Sequence, residues 1–175
     1  MPLIRSMELA RAASRTRAAA VLLASGFGLG LSPAASGTVG TLPGLLLMAL
    51  LRPCWDPLVP GSLLAQGVAV FCLAVLAAPL CGAAESHYGR KDDGRIVADE
   101  YLTFPIGLLG LPLTPGVLAL AFFTNRVFDV LKPYPADRLQ RLPGGLGIVA
   151  DDVVAALYSL AVNHLVVRLV EWSAR

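Results

Sequence analysis

SLLAQGVAVFCLAVLAAPLCGAA, residues 62–84, is the stretch of sequence that decides the fold class, and it carries no charged side chain. As an α-helix its roughly 23 residues extend about 34 Å, which exceeds the roughly 30 Å hydrocarbon core of a bilayer. Its Ala, Leu and Val residues show little strict alternation, which favours a helix over a strand. The stretch therefore predicts a helix that is able to span a membrane.

The composition of the whole chain agrees with a membrane-embedded protein. Of its 175 residues 56% are hydrophobic and 15% charged, with a mean hydropathy of +0.69, which is too apolar for an ordinary soluble domain or a disordered one. A net charge of +2 lacks the basic excess of a nucleic-acid-binding protein. Cys54, Cys72 and Cys81 are an odd number without a CxxC pair, so we expect neither a disulfide framework nor a cysteine metal site.

Four further apolar segments surround residues 62–84, at residues 38–51, 101–111, 116–123 and 153–167. The third and fourth of the five segments are shorter than the roughly 20 residues of a full span, which predicts a re-entrant or partly buried hairpin. Neither an internal repeat nor a low-complexity linker divides the chain, so residues 1–175 are interpreted as one domain. The sequence predicts an all-α, compact bundle of about five main helices embedded in a membrane.

The N-terminal residues 1–24 are rich in arginine and are predicted to form an amphipathic helix at the membrane interface. The alternative is a secretory signal peptide, because Arg15 and Arg17 precede an apolar run. If the five apolar segments alternate in direction, eleven Lys and Arg residues face one side and three the other. The positive-inside rule then places the larger group in the cytoplasm.

Acidic residues cluster on the same predicted side of the membrane. A tight turn at residues 111–116 would bring Asp99 and Asp129 of two antiparallel helices to one level, and Asp151 and Asp152 begin the last helix from that side. Clustered carboxylates are ligands for a hard cation such as Mg²⁺. The alternative is a solvated cap of loop charges neutralised by nearby Arg and Lys, and clustering alone leaves both open.

Two further features have both a functional and a structural interpretation. The stretch GTVGTL at residues 37–42 opens a helix with glycines and hydroxyls, which suits an oxyanion such as phosphate, whereas Thr38 as a simple N-cap is the alternative. Lys132 precedes Pro133 on a stiff Pro-rich turn that is able to aim its ammonium group. The alternative is a lysine that snorkels to the membrane edge.

Four motifs in a fixed order resemble the phosphatidylglycerophosphatase A family. The motifs are SGTVGTL at residues 36–42, KDDGRIVADE at 91–100, NRVFDVLKPYP at 125–135 and GGLGIVADD at 144–152. The resemblance implies a helical Mg²⁺-dependent phosphatase that removes the terminal phosphate of the phospholipid phosphatidylglycerophosphate to give phosphatidylglycerol. It also implies a multi-pass protein of a bacterial-type cytoplasmic (inner) membrane, with its active site on the cytoplasmic face.

The resemblance also implies roles for individual residues. The expected metal ligands are Asp99, Glu100, Asp129 and Asp151. The expected catalytic residues are Asp152, as general base or as a group that orients the nucleophile, and Lys132 and Arg126, which stabilise the phosphate oxygens. The expected phosphate contacts are Gly37, Thr38, Gly40, Thr41 and Lys91. The nucleophile, water or a carboxylate, is left open.

A small multi-pass transporter or channel-like protein is the alternative function, because such proteins also carry clustered acids. The acids of this chain lie at the ends of the apolar segments, and the middles of those segments carry almost no ionisable group besides His164. This distribution favours an interfacial enzyme over a path for ions across the bilayer.

Overall fold

The computed structural model describes residues 2–33, 36–56 and 59–175, with side chains from residue 13 onward. Its α-helices are α1 (Pro2–Ala24), α2 (Ser36–Leu51), α3 (Ser62–Tyr88), α4 (Ala98–Thr103), α5 (Pro115–Leu131), α6 (Ala136–Leu139) and α7 (Gly145–Ser173). Three short 3₁₀ helices lie at Leu29–Leu31, Arg52–Cys54 and Phe104–Leu108. The described residues contain no β-strand, and the all-α prediction is confirmed.

Three helices in the described ranges are long and apolar enough to cross a membrane: Ser36–Cys54, Ser62–Tyr88 and Gly145–Ser173. The prediction from residues 62–84 is confirmed, and α3 continues one turn further until Gly89, whose φ of 69° is the left-handed conformation that ends many helices. Leu64 and Phe71 on α3 are 74% and 68% exposed, which suits a lipid-facing surface.

The predicted helical hairpin differs from the observed one. Residues 101–111 are not one helix, because Pro105 lacks an N–H donor and the chain tightens into a 3₁₀ helix after Thr103. The following helix, α5, is longer than residues 116–123 and begins at Pro115, where the Thr114 hydroxyl accepts a hydrogen bond from Val117 N. The bounds expected for the third and fourth segments were therefore wrong, but the direction of the segments still alternates, because the starts of α2, α4 and α7 lie on the same side as the ends of α3 and α5.

The buried 3₁₀ helix and the residues directly after it are held by side chains from distant parts of the chain. Trp55 Nε1 donates to Leu108 O at 3.1 Å, and Asn163 Nδ2 donates to Gly107 O at 2.8 Å. Gln66 Oε1 accepts from Gly110 N at 2.8 Å. Backbone that is not α-helical is tolerated at membrane depth only where the protein satisfies its hydrogen bonds, and these three side chains do so.

α7 begins earlier than the last apolar segment indicated. A Cβ atom on Gly145 would lie 1.9 Å from Ala78 O of α3, and one on Gly147 would lie 2.2 Å from Leu142 O. Glycine is required there for close approach, so residues 144–147 form the packed start of the helix and not a flexible lead-in. Asp151 and Asp152 consequently lie in the second turn of α7, both buried, and not at its first residue.

α2 approaches α4 through a row of glycines. A Cβ atom added to Gly37 would lie 2.6 Å from Arg126 Nη2. One added to Gly40 would lie 2.5 Å from Val97 Cγ1, and one added to Gly44 would lie 3.0 Å from Phe104 Cβ. Small residues on one helix face allow two backbones to approach closely. This contact brings the start of α2 against the acidic start of α4.

α1 is helical over Pro2–Ala24, but it is not among the helices long and apolar enough to span. Met1 and the side chains of Arg5 and Arg11 lie outside what the structure describes. An interfacial position for α1 stays a prediction.

Candidate active site

A cavity of about 260 Å³ collects acidic side chains from four parts of the chain. Its lining residues are Ser36, Asp92, Gly94, Ile96, Asp99, Glu100, Asp129, Val130, Lys132, Asp151 and Asp152. They come from the start of α2, the loop before α4, the first turn of α4, the end of α5 and the second turn of α7. Residues 36 and 152, far apart in sequence, thus share one pocket, which we call the acidic cavity.

Asp99 and Asp152 form the buried floor of the acidic cavity. They are only 5% and 3% exposed, and the Oδ1 atom of each lacks a hydrogen-bond partner. Burial, reinforced by the charges of Asp92 and Asp151, raises the pKa of Asp99 to about 7, although hydrogen bonding with Asp152 opposes the shift. Buried carboxylates with unpaired oxygens are costly unless a cation approaches them.

Glu100 and Asp129 share one arginine. Arg126 Nη1 lies 2.8 Å from Asp129 Oδ2 and 3.4 Å from Glu100 Oε2. Thr41 Oγ1 also donates to Glu100 Oε2, at 3.2 Å. Burial, followed by the charge of Asp99, raises the pKa of Glu100 to about 9. Arg126 does not line the cavity. Its guanidinium group holds the two carboxylates in position and does not face the space where a phosphate would lie.

Lys132 lies at the end of α5, where the chain turns. Its φ of 45° is left-handed, its N–H donates to Phe128 O at 2.9 Å, and Pro133 prevents the helix from continuing. Its Nζ donates to Asp151 Oδ2 at 2.6 Å and lies 3.9 Å from Asp92 Oδ2. Burial lowers the pKa of Lys132, but the hydrogen bond to Asp151 and the surrounding acids outweigh it, and the pKa rises. Lys132 is therefore a cation inside the acidic cavity.

Asp92 is a cavity residue that the sequence analysis did not single out. The neighbouring Asp93 instead pairs with Arg95, with Nε to Oδ1 at 2.7 Å, and also accepts from Arg95 N. This local turn leaves Asp92, in a left-handed conformation with φ 50°, at the cavity wall, where Gln140 donates to it. The sequence signal was the pair of adjacent acids before Gly94, but it does not tell which of the two lines the cavity.

The residues expected to contact phosphate lie elsewhere. Gly37 and Gly40 pack against Arg126, Glu100 and Val97, and Thr41 is fully buried. Neither they nor Thr38 line the acidic cavity, to which the motif at residues 36–42 contributes Ser36. Lys91 Nζ donates to Leu142 O at 3.0 Å on an exposed surface and also lies outside the lining. The structure thus brings together the expected metal ligands with Asp152 and Lys132, but not the five expected phosphate contacts.

The acidic cavity fits a hard cation by its donor chemistry. Among the described residues, no three His, Cys, Asp or Glu side chains already form a ready-made cage. Mg²⁺ does not require one, because it keeps several waters and binds through one or two carboxylates together with substrate phosphate. The unpaired Oδ1 atoms of Asp99 and Asp152 are oxygen donors of the required kind.

Comparison with known proteins assigns the chain to a family. Residues 22–167 match the family described as phosphatidylglycerophosphatase A. The chain belongs to the phosphatidylglycerophosphatase A family. This family assignment confirms the resemblance drawn from the four motifs, and it identifies the chain as a phosphatase and hydrolase.

Curated relatives of this phosphatidylglycerophosphatase A family chain are similar over most of their length. A phosphatidylglycerophosphatase A of Haemophilus influenzae is 38% identical over 148 residues, covering 81% of this chain and 84% of the relative. One of Escherichia coli is 34% identical, covering 83% and 81%. A protein of Bacteroides thetaiotaomicron named putative phosphatidylinositol-3-phosphatase is 33% identical, covering 79% and 87%. No solved structure matches the chain.

Proposed function

We propose that the protein hydrolyses the terminal phosphomonoester of phosphatidylglycerophosphate, giving phosphatidylglycerol and inorganic phosphate, with Mg²⁺ bound in the acidic cavity. The observation that carries the proposal is the convergence of six carboxylates and Lys132 in one cavity at the start of a membrane-capable helix. The names of two relatives support this substrate. The third relative is named for a different lipid phosphate, so the experiment compares two lipids with different head groups.

The proposed metal ligands are Asp99, Glu100, Asp129 and Asp151, all of which line the acidic cavity. When bound, Mg²⁺ supplies charge neutralisation for the phosphate and lowers the pKa of a bound water. The raised pKa values of Asp99 and Glu100 support this role, because a nearby cation removes the cost of ionising them.

The remaining polar residues have separate tasks. Asp152 Oδ1, buried and without a partner, accepts the proton of the attacking water. Lys132, held by Asp151, stabilises the phosphate oxygens as negative charge develops on them. Arg126 positions Glu100 and Asp129 rather than contacting the phosphate. The products are a lipid alcohol and inorganic phosphate.

The proposed location is a bacterial inner membrane with the acidic cavity at the cytoplasmic face. The loops beside the cavity carry Arg90, Lys91 and Arg95 after α3, and Arg138 and Arg141 after α5. Short loops rich in Arg and Lys remain cytoplasmic. The substrate is a lipid whose phosphate lies at the interface, so it reaches this cavity without leaving the bilayer.

The test is phosphate release by purified protein in detergent, from phosphatidylglycerophosphate and from phosphatidylinositol 3-phosphate, with Mg²⁺ or with EDTA. We expect Mg²⁺-dependent release from the first lipid that falls by at least about 100-fold in Asp129→Asn. Asp137→Asn is the matched control, because Asp137 is an exposed acid outside the cavity. If the folded protein releases phosphate from neither lipid, the proposed function is wrong. If release is equal in EDTA and in Mg²⁺, the proposed role of Mg²⁺ is wrong.

A further inference from the structure

Two apolar grooves lie on the two sides of α2. The larger, of about 590 Å³, lies between α2, α4 and the turn before α2, and its lining includes Phe27, Leu46 and Leu50. The smaller, of about 430 Å³, lies between α2 and α5, and its lining includes Leu45 and Phe123. Both volumes fall within the roughly 300–1,000 Å³ of ligand-binding clefts.

Both grooves begin beside the acidic cavity. They share Leu42, which follows Thr41, and Thr41 donates a hydrogen bond to Glu100 of the cavity. The larger groove also includes Tyr101 and Leu102, the two residues after Glu100. A molecule with its polar end in the cavity is therefore able to continue directly into either groove.

The side chains that line the grooves are almost all apolar, so they favour hydrocarbon over a polar ligand. Tyr101 carries the larger groove's one polar side chain, and its hydroxyl already donates to Leu23 O at 3.0 Å. The smaller groove is lined by aliphatic and aromatic residues alone. No side chain of either groove remains to bind a polar group, while Leu46 and Phe123 are 65% and 69% exposed.

The depth of the grooves matches a lipid in one leaflet. α2 is membrane-capable, and its first residue, Ser36, lines the acidic cavity. The groove residue Leu46 lies 10 residues further along, about 15 Å away at about 1.5 Å per residue. Half of a bilayer's hydrocarbon core is about 15 Å, so this part of the groove lies among acyl chains when the cavity is at the interface.

We infer that the grooves hold the two acyl chains of one diacyl phospholipid, whose terminal phosphate lies in the acidic cavity. This inference rests on the proposed function and specifies where the substrate's acyl chains bind, with one chain on each side of α2. A partner helix would need one continuous face, whereas α2 divides this surface into two furrows that meet at Leu42.

Kinetics with soluble short-chain substrate provide the first test. The rate of hydrolysis of dihexanoyl phosphatidylglycerophosphate is to be measured for the native protein, for Leu46→Trp, whose larger side chain narrows the larger groove, and for Leu64→Trp. Leu64 is an equally lipid-exposed leucine on α3 that lines neither groove, so partition of substrate into the detergent is the same for both variants. Each methylene moved from water into a groove changes KM by about fourfold.

We expect Leu46→Trp to raise KM at least tenfold with kcat within twofold, and Leu64→Trp to leave both unchanged. Equal effects of the two variants, or no effect of Leu46→Trp, overturn the inference. If the native protein hydrolyses neither this lipid nor a long-chain one, the proposed function fails instead. The photo-crosslinking test below then shows, from binding alone, whether the grooves hold acyl chains.

Photo-crosslinking provides the second test, which does not depend on turnover. Diacyl phosphatidylglycerophosphate with a diazirine at the end of one chain is irradiated with the native protein. We expect label on residues 45–50 and around Phe123, displaced by unlabelled phosphatidylglycerophosphate but not by phosphatidylcholine of equal chain length. Label spread evenly over lipid-facing helices, equal displacement by phosphatidylcholine, or crosslinks between α2 helices of two copies overturns the inference.

Discussion

Lys132 Nζ lies 2.6 Å from Asp151 Oδ2 and joins the end of α5 to the second turn of α7. This ion pair crosses the acidic cavity, where the lysine is the one basic residue among six acids of the lining. It neutralises part of the charge that would otherwise separate the two helix ends. The pair is therefore both a structural tie and a source of positive charge for a phosphate.

Replacement of Lys132 by Met is expected to abolish most activity and to lower stability. The change leaves the Asp151 carboxylate, 6% exposed, without its cation, and leaving such a group without its partner costs about 1–3 kcal/mol, since Lys132 itself is 31% exposed. Loss of the phosphate-stabilising charge should lower kcat by at least about 100-fold. Lys91→Met is the matched control, because Lys91 lies outside the cavity. A similar loss of kcat in Lys91→Met would contradict the assignment.

Arg126→Lys is expected to weaken Mg²⁺ binding more than lipid binding. The native guanidinium contacts both Asp129 and Glu100, and a lysine ammonium lacks the fork that holds two carboxylates. The Mg²⁺ concentration for half-maximal activity should rise at least about tenfold, with activity recovering at high Mg²⁺. The measurement is a Mg²⁺ titration at saturating lipid. A rise in lipid KM at saturating Mg²⁺, without a shift in the metal dependence, would instead indicate direct phosphate contact.

The protein should lose stability as the pH rises when Mg²⁺ is absent, and this loss should disappear when Mg²⁺ is bound. The folded pKa values of Asp99 and Glu100, about 7 and about 9, lie above the ordinary carboxyl values, because burial disfavours the charged forms. A raised carboxyl pKa stabilises the fold fully below the ordinary value near 4, and this stabilisation is lost as the pH rises through 7 and 9. Metal-free protein should therefore unfold at a lower temperature at pH 8 than at pH 5.5.

Mg²⁺ should remove this loss, because metal binding favours the deprotonated carboxylates. Thermal unfolding in EDTA and in Mg²⁺ at the two pH values measures the effect. Asp99→Asn is the control for other titrating groups, since its metal-free pH dependence should be flatter than that of the native protein. An identical pH dependence in the native protein and in Asp99→Asn would count against the role of burial.

Gly145→Ala tests the close contact of α7 with α3. The new Cβ atom would lie 1.9 Å from Ala78 O, so the helices must separate at an expected cost of about 1–3 kcal/mol. Gly67→Ala on α3 is the matched control, because a Cβ atom added at Gly67 would have no other atom within 4 Å. The higher helix propensity of alanine should make this change neutral or stabilising by up to about 1 kcal/mol. Thermal unfolding in the same detergent compares them. A Gly145→Ala protein as stable as Gly67→Ala would contradict the packing.

The sequence by itself determined those features that depend on local chemistry. Residues 62–84 are uncharged and long enough to span, so burial of their apolar surface in a bilayer requires a helix. Pro133 restricts the backbone of Lys132, and α5 ends there as expected. The order of the four motifs was sufficient for the family, because it is a property of the chain and not of its packing.

Only the tertiary structure decided which side chains share the cavity. Asp92 lies at the cavity wall beside Gln140 and Lys132, which are distant in sequence, and the direction of Arg126 depends on Glu100 arriving from another helix. The burial of the 3₁₀ helix at Phe104–Leu108 and the close packing at the start of α7 depend on polar and backbone groups far away in sequence, such as Asn163 and Ala78. Apolar length and φ restrictions act within a few residues, whereas the direction of a side chain is set by packing partners that only the folded chain brings together.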